Sequence, residues 1–156
     1  MLIIMILMLI MGSCKKDENF DDEQIEAIEK FMVERGFDIT PTESGLYYQD
    51  IVVGGGEQVN PLDTVEVFYT GYYLNGIQFD SNVGKDIFKF VVQDYVPAVI
   101  DGFDEALTYM REGGESIVII PSWLGYGSRG SGAIPGYTPI FFQLKLVNIV
   151  GGPVPE

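Results

Sequence analysis

Histidine is missing from the chain altogether, and cysteine occurs once, at position 14. Without histidine, no Ser-His-Asp triad, Cys-His pair or His-ligated metal centre is possible. A single thiol cannot form a disulfide within the chain, so cysteine pairing says nothing about compartment. Basic residues are scarce: 9 Lys and Arg stand against 23 Asp and Glu, for a net charge of −14. Such a chain is repelled by nucleic acid and by anionic membrane surfaces. Its apolar opening, residues 1–11, is too short to cross a bilayer as a standard helix, which takes about 20 residues.

That apolar run fits the central region of a secretory signal. It leads into Gly12-Ser13-Cys14. Small residues directly before a lone cysteine resemble a lipoprotein signal, which implies that Cys14 becomes the lipidated first residue of the mature protein. Two features depart from that pattern. No Lys or Arg precedes the run, and Met11 stands where Leu, Val or Ile is usual. The other readings of the segment are an uncleaved apolar anchor and a signal without lipidation. Residues 15–23 are charged and read as a solvated tether. Acidic residues soon after a lipidated cysteine resemble the surface-export signal of lipoproteins in Bacteroidetes-like bacteria. The expected organisation is a signal peptide at 1–13, a lipidated tether with a short helix at 14–44, and a globular domain at 45–150. The expected location is the cell envelope, lipid-anchored at the outer membrane or periplasmic face.

Residues 22–35 read as a helix, with Ile25, Ile28, Phe31 and Met32 at helical spacing on one face. Acidic residues crowd its first turn and Arg35-Gly36 closes it, as dipole and C-cap preferences require. It serves either as a helix packed on its own domain or spacer, or as a dimerisation helix. The expected state is a monomer.

From Gly45 the texture changes to short alternating runs between glycine-rich turns. Strands are expected at 46–53, 64–72, 88–92, 116–120 and 141–149. In the second, Val65, Val67 and Tyr69 share a face; in the last, Phe142, Leu144 and Leu146 point inward. Asn75-Gly76 is a hairpin signal. Residues 101–110 read as a short helix capped by Asp101 and ended by Gly113, burying Ala106, Leu107 and Met110. Several strands and one short helix, with 19 glycines and 13% aromatics, make an α+β domain: a curved antiparallel sheet wrapped on a helix.

The order of motifs is what carries further. Gly54-Gly55-Gly56 precedes Val65-Glu66-Val67-Phe68-Tyr69-Thr70-Gly71. Then come Asn75-Gly76-Ile77-Gln78-Phe79-Asp80-Ser81 and Phe88-Lys89-Phe90. Val99-Ile100-Asp101-Gly102-Phe103 opens the short helix, and Gly113-Gly114-Glu115 follows it. Ile120-Pro121, Leu124-Gly125-Tyr126-Gly127, Ile134-Pro135 and Phe142-Gln143-Leu144 complete the series. In this order and spacing the stretch 45–149 resembles the FKBP-type peptidyl-prolyl cis–trans isomerases.

The resemblance implies a half-barrel sheet around the short helix, with an aromatic pocket between them. Carried over position by position, the catalytic residues are Asp80, Tyr126, Tyr69 and Phe79. The substrate-binding residues are Phe88, Val99, Ile100, Phe103, Ile134 and Phe142. Phe90 and Trp123 are packing residues outside the site. No cofactor or metal is implied. The expected partners are proline-containing polypeptides and macrolides such as FK506 or rapamycin. Three departures bear on specificity. Phe103 stands where the family often has Trp at the pocket floor. The loop 128–133 is about one residue shorter than in the best-known members and carries Ser131. Residues 82–87 hold no Arg to partner the pocket acid, with Lys85 the substitute.

Rotation about an X–Pro bond breaks no covalent bond, so nucleophiles and metals are not needed. Its barrier of about 18–20 kcal/mol is the loss of amide resonance. A dry, shaped site that favours the twisted amide over both planar forms suffices. Two other functions share this pattern: a module that binds proline segments, and a structural lipoprotein of the cell envelope with incidental activity.

Overall fold

A computed structural model of the chain describes residues 18–151. The apolar opening, Cys14 and tether residues 15–17 lie outside the described residues, as do 152–156. The elements run α1 (Glu18–Arg35), β1 (Tyr47–Val52), β2 (Thr64–Tyr73), β3 (Gln78–Ser81), β4 (Phe88–Val91), α2 (Asp101–Tyr109), β5 (Glu115–Ile120) and β6 (Ile140–Val150), with a 3₁₀ turn at Ser122–Leu124. The strands form one sheet in the order β1-β5-β6-β2-β3, and β4 also pairs with β2. Every pairing is antiparallel.

β2 is the organising strand because its free edge is shared. Thr64 to Val67 pair with β4, while Thr70 to Tyr72 pair with β3. Between them the buried Asn82 replaces a missing ladder rung. Its Oδ1 accepts the Tyr69 N–H at 2.7 Å and its Nδ2 donates to the Val67 carbonyl at 3.0 Å. Asn82→Ala would strand a buried donor and a buried acceptor at once, a cost of about 1–3 kcal/mol per group. The midpoint of urea unfolding is expected to fall with little change in slope.

α2 lies across the inner face of the sheet. Its nine residues are too few to hold a helix alone, so packing holds it. Phe103, Ala106 and Leu107 bury themselves against Val65, Val67, Val118, Phe142 and Leu144 of the sheet. Gly102 permits the approach: a Cβ there would meet Ile120 Cγ2 at 2.6 Å. The N-cap is Ile100, not Asp101, which is already helical and makes no side-chain capping bond. The Ile100 carbonyl accepts from the Phe103 and Asp104 N–H groups at 3.0 and 3.1 Å. The helix ends at Tyr109, with Met110 already in extended backbone, and Gly113 serves the following turn instead.

α1 packs on the outer face, covering Tyr47, Ile117, Ile119 and Phe141 with Ile28 and Phe31. This explains the continuous apolar run of β5. All of Ser116 to Ile120 is buried, because α2 lies on one face and α1 on the other, a pattern usually seen in strands covered on both sides. Trp123 packs under Gly45 and donates its indole N–H to the Ser44 carbonyl at 3.1 Å.

Candidate active site

The open end of β2, the entrance to α2 and the start of β6 converge on one cavity of about 170 Å³. β2 supplies Tyr69, β3 supplies Phe79 and Asp80, and β4 supplies Phe88. The loop into α2 contributes Ala98, Val99 and Ile100. Phe103 comes from α2, Tyr126 from the segment after the 3₁₀ turn, and Phe142 from β6. Nine of the ten catalytic and substrate-binding residues expected from the sequence therefore line a single cavity. The tenth, Ile134, is buried in the adjoining core and is not among the lining residues. Cys14 lies outside the described residues.

Phe103, only 4% exposed, forms the floor. It meets Tyr69 and Phe142 edge to face, with centroids 5.7 and 5.3 Å apart at 88° and 89°. Phe79 stands against Phe142 at 5.7 Å and 87°. These are the preferred quadrupolar geometries, worth about 0.5–1.5 kcal/mol per pair beyond the buried area. Gly71 makes room for them, since a Cβ there would lie 2.7 Å from both Phe142 and Phe79 ring atoms.

The polar groups gather at the mouth. Tyr69 donates its hydroxyl to Asp80 Oδ2 at 2.7 Å, and Asp80 Oδ1 accepts the Ser81 N–H at 2.8 Å. Burial, then the hydrogen bond and charge of Asp80, push the Tyr69 hydroxyl up to about 12. Burial first and the Asp80 charge second also raise Tyr126. Lys85 does not partner Asp80. The turn at 82–85 folds it back, and its amine donates to the Ser81 carbonyl at 2.7 Å. The acid is thus held by a neutral phenol rather than by a cation.

A raised tyrosine pKa favours the native state only while the phenol stays protonated. Its contribution is complete below the unfolded value near 10 and is lost as pH rises through the folded value. Tyr47, Tyr48, Tyr69, Tyr109 and Tyr126 are all raised, chiefly by burial. With no histidine to titrate near neutrality, urea midpoints are expected to be nearly level from about pH 6 to 9 and to fall steeply from about pH 10 to 12. Tyr69→Phe is expected to shallow that fall.

Three contributors are hard to find from sequence. Asn82 sits in what looks like an ordinary turn. Ala98 has no chemistry to mark it. Asp104 reads as a first-turn acid, but its carboxylate accepts the Gln93 N–H at 2.8 and 3.0 Å and so fixes the base of the loop leading to Val99. A wider groove of about 430 Å³ is lined by Ile51, Phe68, Val83 and Ile117 among others and shares Tyr69 with the cavity; its acid, Glu115, accepts from Lys145 at 2.8 Å rather than from a phenol.

The profile of the FKBP-type peptidyl-prolyl cis–trans isomerase family matches residues 55–147. The chain belongs to that family. FKBP15-3 of Arabidopsis thaliana, a peptidyl-prolyl cis–trans isomerase, is 34% identical over 140 residues, 88% of this chain and 96% of the relative. A probable FKBP-type isomerase of Haemophilus influenzae is 34% identical over 144 residues. They amount to 90% of this chain, and the chain spans only 58% of that relative's length. Among solved structures, a peptidyl-prolyl cis–trans isomerase of Pseudomonas syringae superposes with a TM-score of 0.70 at 25% identity, covering 85% of this chain and 94% of that one. The α+β architecture is that of the FKBP-type isomerases, with α1 packed on the outer face.

Proposed function

We propose that this FKBP-family chain catalyses rotation about X–Pro bonds in exported proteins, using the aromatic cavity and no covalent chemistry. The observation that carries the reading is the convergence of Tyr69, Asp80, Phe103 and Tyr126 on one small cavity walled by aromatic rings. The proline ring packs on Phe103, between Phe142 and Val99. The peptide carbonyls beside it are held by the Ile100 N–H and the Tyr126 hydroxyl. Leaving water favours the twisted amide, whose carbonyl is less polar than the planar one. Asp80 orients Tyr69 and sets the field at the rotating carbonyl.

The role belongs to the cell envelope. Residues 1–13 act as the signal, Cys14 carries the lipid, residues 14–44 form tether and helix, and residues 45–150 do the chemistry as a monomer. Among the described residues no helix is long and apolar enough to cross a membrane, and the anchor in this reading is the lipid. Macrolides such as FK506 or rapamycin compete for the same cavity, weakened by the smaller phenyl floor.

The test is refolding of a protein limited by a slow trans-to-cis proline step, which otherwise takes tens to hundreds of seconds. Catalytic amounts of the full chain are expected to accelerate that phase, and FK506 to suppress the acceleration. Binding of a proline peptide without acceleration would leave a proline-binding module instead. Cys14→Ser is expected to abolish incorporation of labelled fatty acid; unchanged labelling would refute the anchor.

A further inference from the structure

α1 holds a buried glutamine on an otherwise apolar face. Gln24, 3% exposed, sits beside Ile28 and Phe31. Its Oε1 accepts the backbone N–H of Ser122 at 2.8 Å, across 98 positions of sequence. Its Nε2 donates to the Phe20 carbonyl at 3.2 Å and to Asp21 Oδ1 at 3.4 Å. An apolar residue would fill this place with less desolvation cost. What glutamine adds is a fixed position for Ser122.

Ser122 opens the 3₁₀ turn that leads to Tyr126. A three-residue 3₁₀ piece has poor internal bonding and cannot hold itself. The Ser122 carbonyl accepts the Gly125 N–H at 2.9 Å and the Gly127 N–H at 2.7 Å. Those two residues flank Tyr126. Beyond it, the Gly127 carbonyl accepts the Tyr137 N–H at 2.9 Å. The Tyr137 ring in turn stacks on Phe20 of α1, with centroids 4.3 Å apart at 15°. α1 thus grips the Tyr126 segment at both ends, by a hydrogen bond on one side and a ring stack on the other.

We propose that α1 belongs to the isomerase site, with Gln24 and Phe20 as positioning residues for the Tyr126 hydroxyl. The proposal rests on the isomerase reading above. The helix then does more than space the domain from its tether. It sets how firmly one of the two carbonyl-holding groups is presented to a bound peptide.

The test is a double-mutant cycle on the full chain. Gln24→Met keeps the length of the side chain and removes the oxygen acceptor. It is expected to lower kcat/KM on a proline tetrapeptide about tenfold, short of the roughly hundredfold that a 1 Å misplacement of a site group costs. In the Tyr126→Phe background, where no hydroxyl remains to be placed, the same substitution is expected to change kcat/KM by less than about twofold. Amide exchange at Gly125 and Gly127 should quicken while the β2–β6 ladder keeps its protection. A folded Gln24→Met chain of parental activity would overturn the proposal, as would equal losses in both backgrounds. Should Gln24→Met not fold, Phe20→Ala, at a 38% exposed position, enters the same cycle: a loss confined to the Tyr126 background supports the proposal, and no loss or equal losses overturn it. An inactive parent would overturn the isomerase reading and this one together; an active parent with additive losses overturns this one alone.

Discussion

Phe103→Ala is expected to lower the unfolding free energy by about 3–5 kcal/mol and to abolish turnover. Its ring is the floor of the cavity and also a central piece of the core, in edge contact with Tyr69 and Phe142. Removing it leaves a void between α2 and the sheet that neither element can close, because Gly102 already sets α2 as near to Ile120 as the atoms allow. A domain of this size holds only about 5–15 kcal/mol in all, so the variant sits near the edge of folding. Phe103→Leu separates the two roles. It keeps most of the volume and is expected to fold, yet it loses the flat aromatic face that the proposed mechanism assigns to the proline ring. Denaturant melts report the first loss and peptide turnover the second. A Phe103→Leu chain with parental turnover would remove Phe103 from the site while leaving it in the core.

Asp80→Val is expected to behave in the opposite way, with stability nearly unchanged and turnover reduced about ten- to a hundredfold. Asp80 is exposed at the cavity mouth, and its substitution opens no void. What disappears is the hydrogen bond from Tyr69 and the negative charge at the cavity mouth. The bond lies at the exposed mouth, where it adds little to folding, whereas every ~1.4 kcal/mol of transition-state stabilisation lost is tenfold in rate. Tyr69→Phe removes the hydroxyl and keeps the acid, so it apportions the effect. If Asp80 acts only by orienting Tyr69, the two variants lose equally; if its charge acts on the carbonyl, Asp80→Val loses more. An Asp80→Val chain that is folded and fully active would exclude the acid from the mechanism.

Much of this site is legible from sequence because strand alternation already separates inward from outward residues. Val65, Val67 and Tyr69 point in together, and so do Phe142, Leu144 and Leu146. Once the sheet is antiparallel and curled on α2, those faces have only one place to meet. Side chains whose partners lie far along the chain are less legible. Gln24 reads as one more polar residue of an amphipathic helix, and nothing local shows that Ser122 waits for its oxygen. Asn82 looks like a turn former and instead completes a strand edge. Lys85 looks like a counter-ion because it follows the acid closely, but a tight turn carries its amine to a carbonyl. Periodicity records which face a residue occupies and is silent about which backbone group across the fold needs a partner.

The most direct measurement is cis–trans isomerisation of a proline tetrapeptide by the purified full chain, beside Asp80→Val and Phe103→Leu. Rapid turnover by the parent is predicted, with both variants folded and slow. A folded parent that leaves the uncatalysed rate unchanged would contradict the isomerase mechanism.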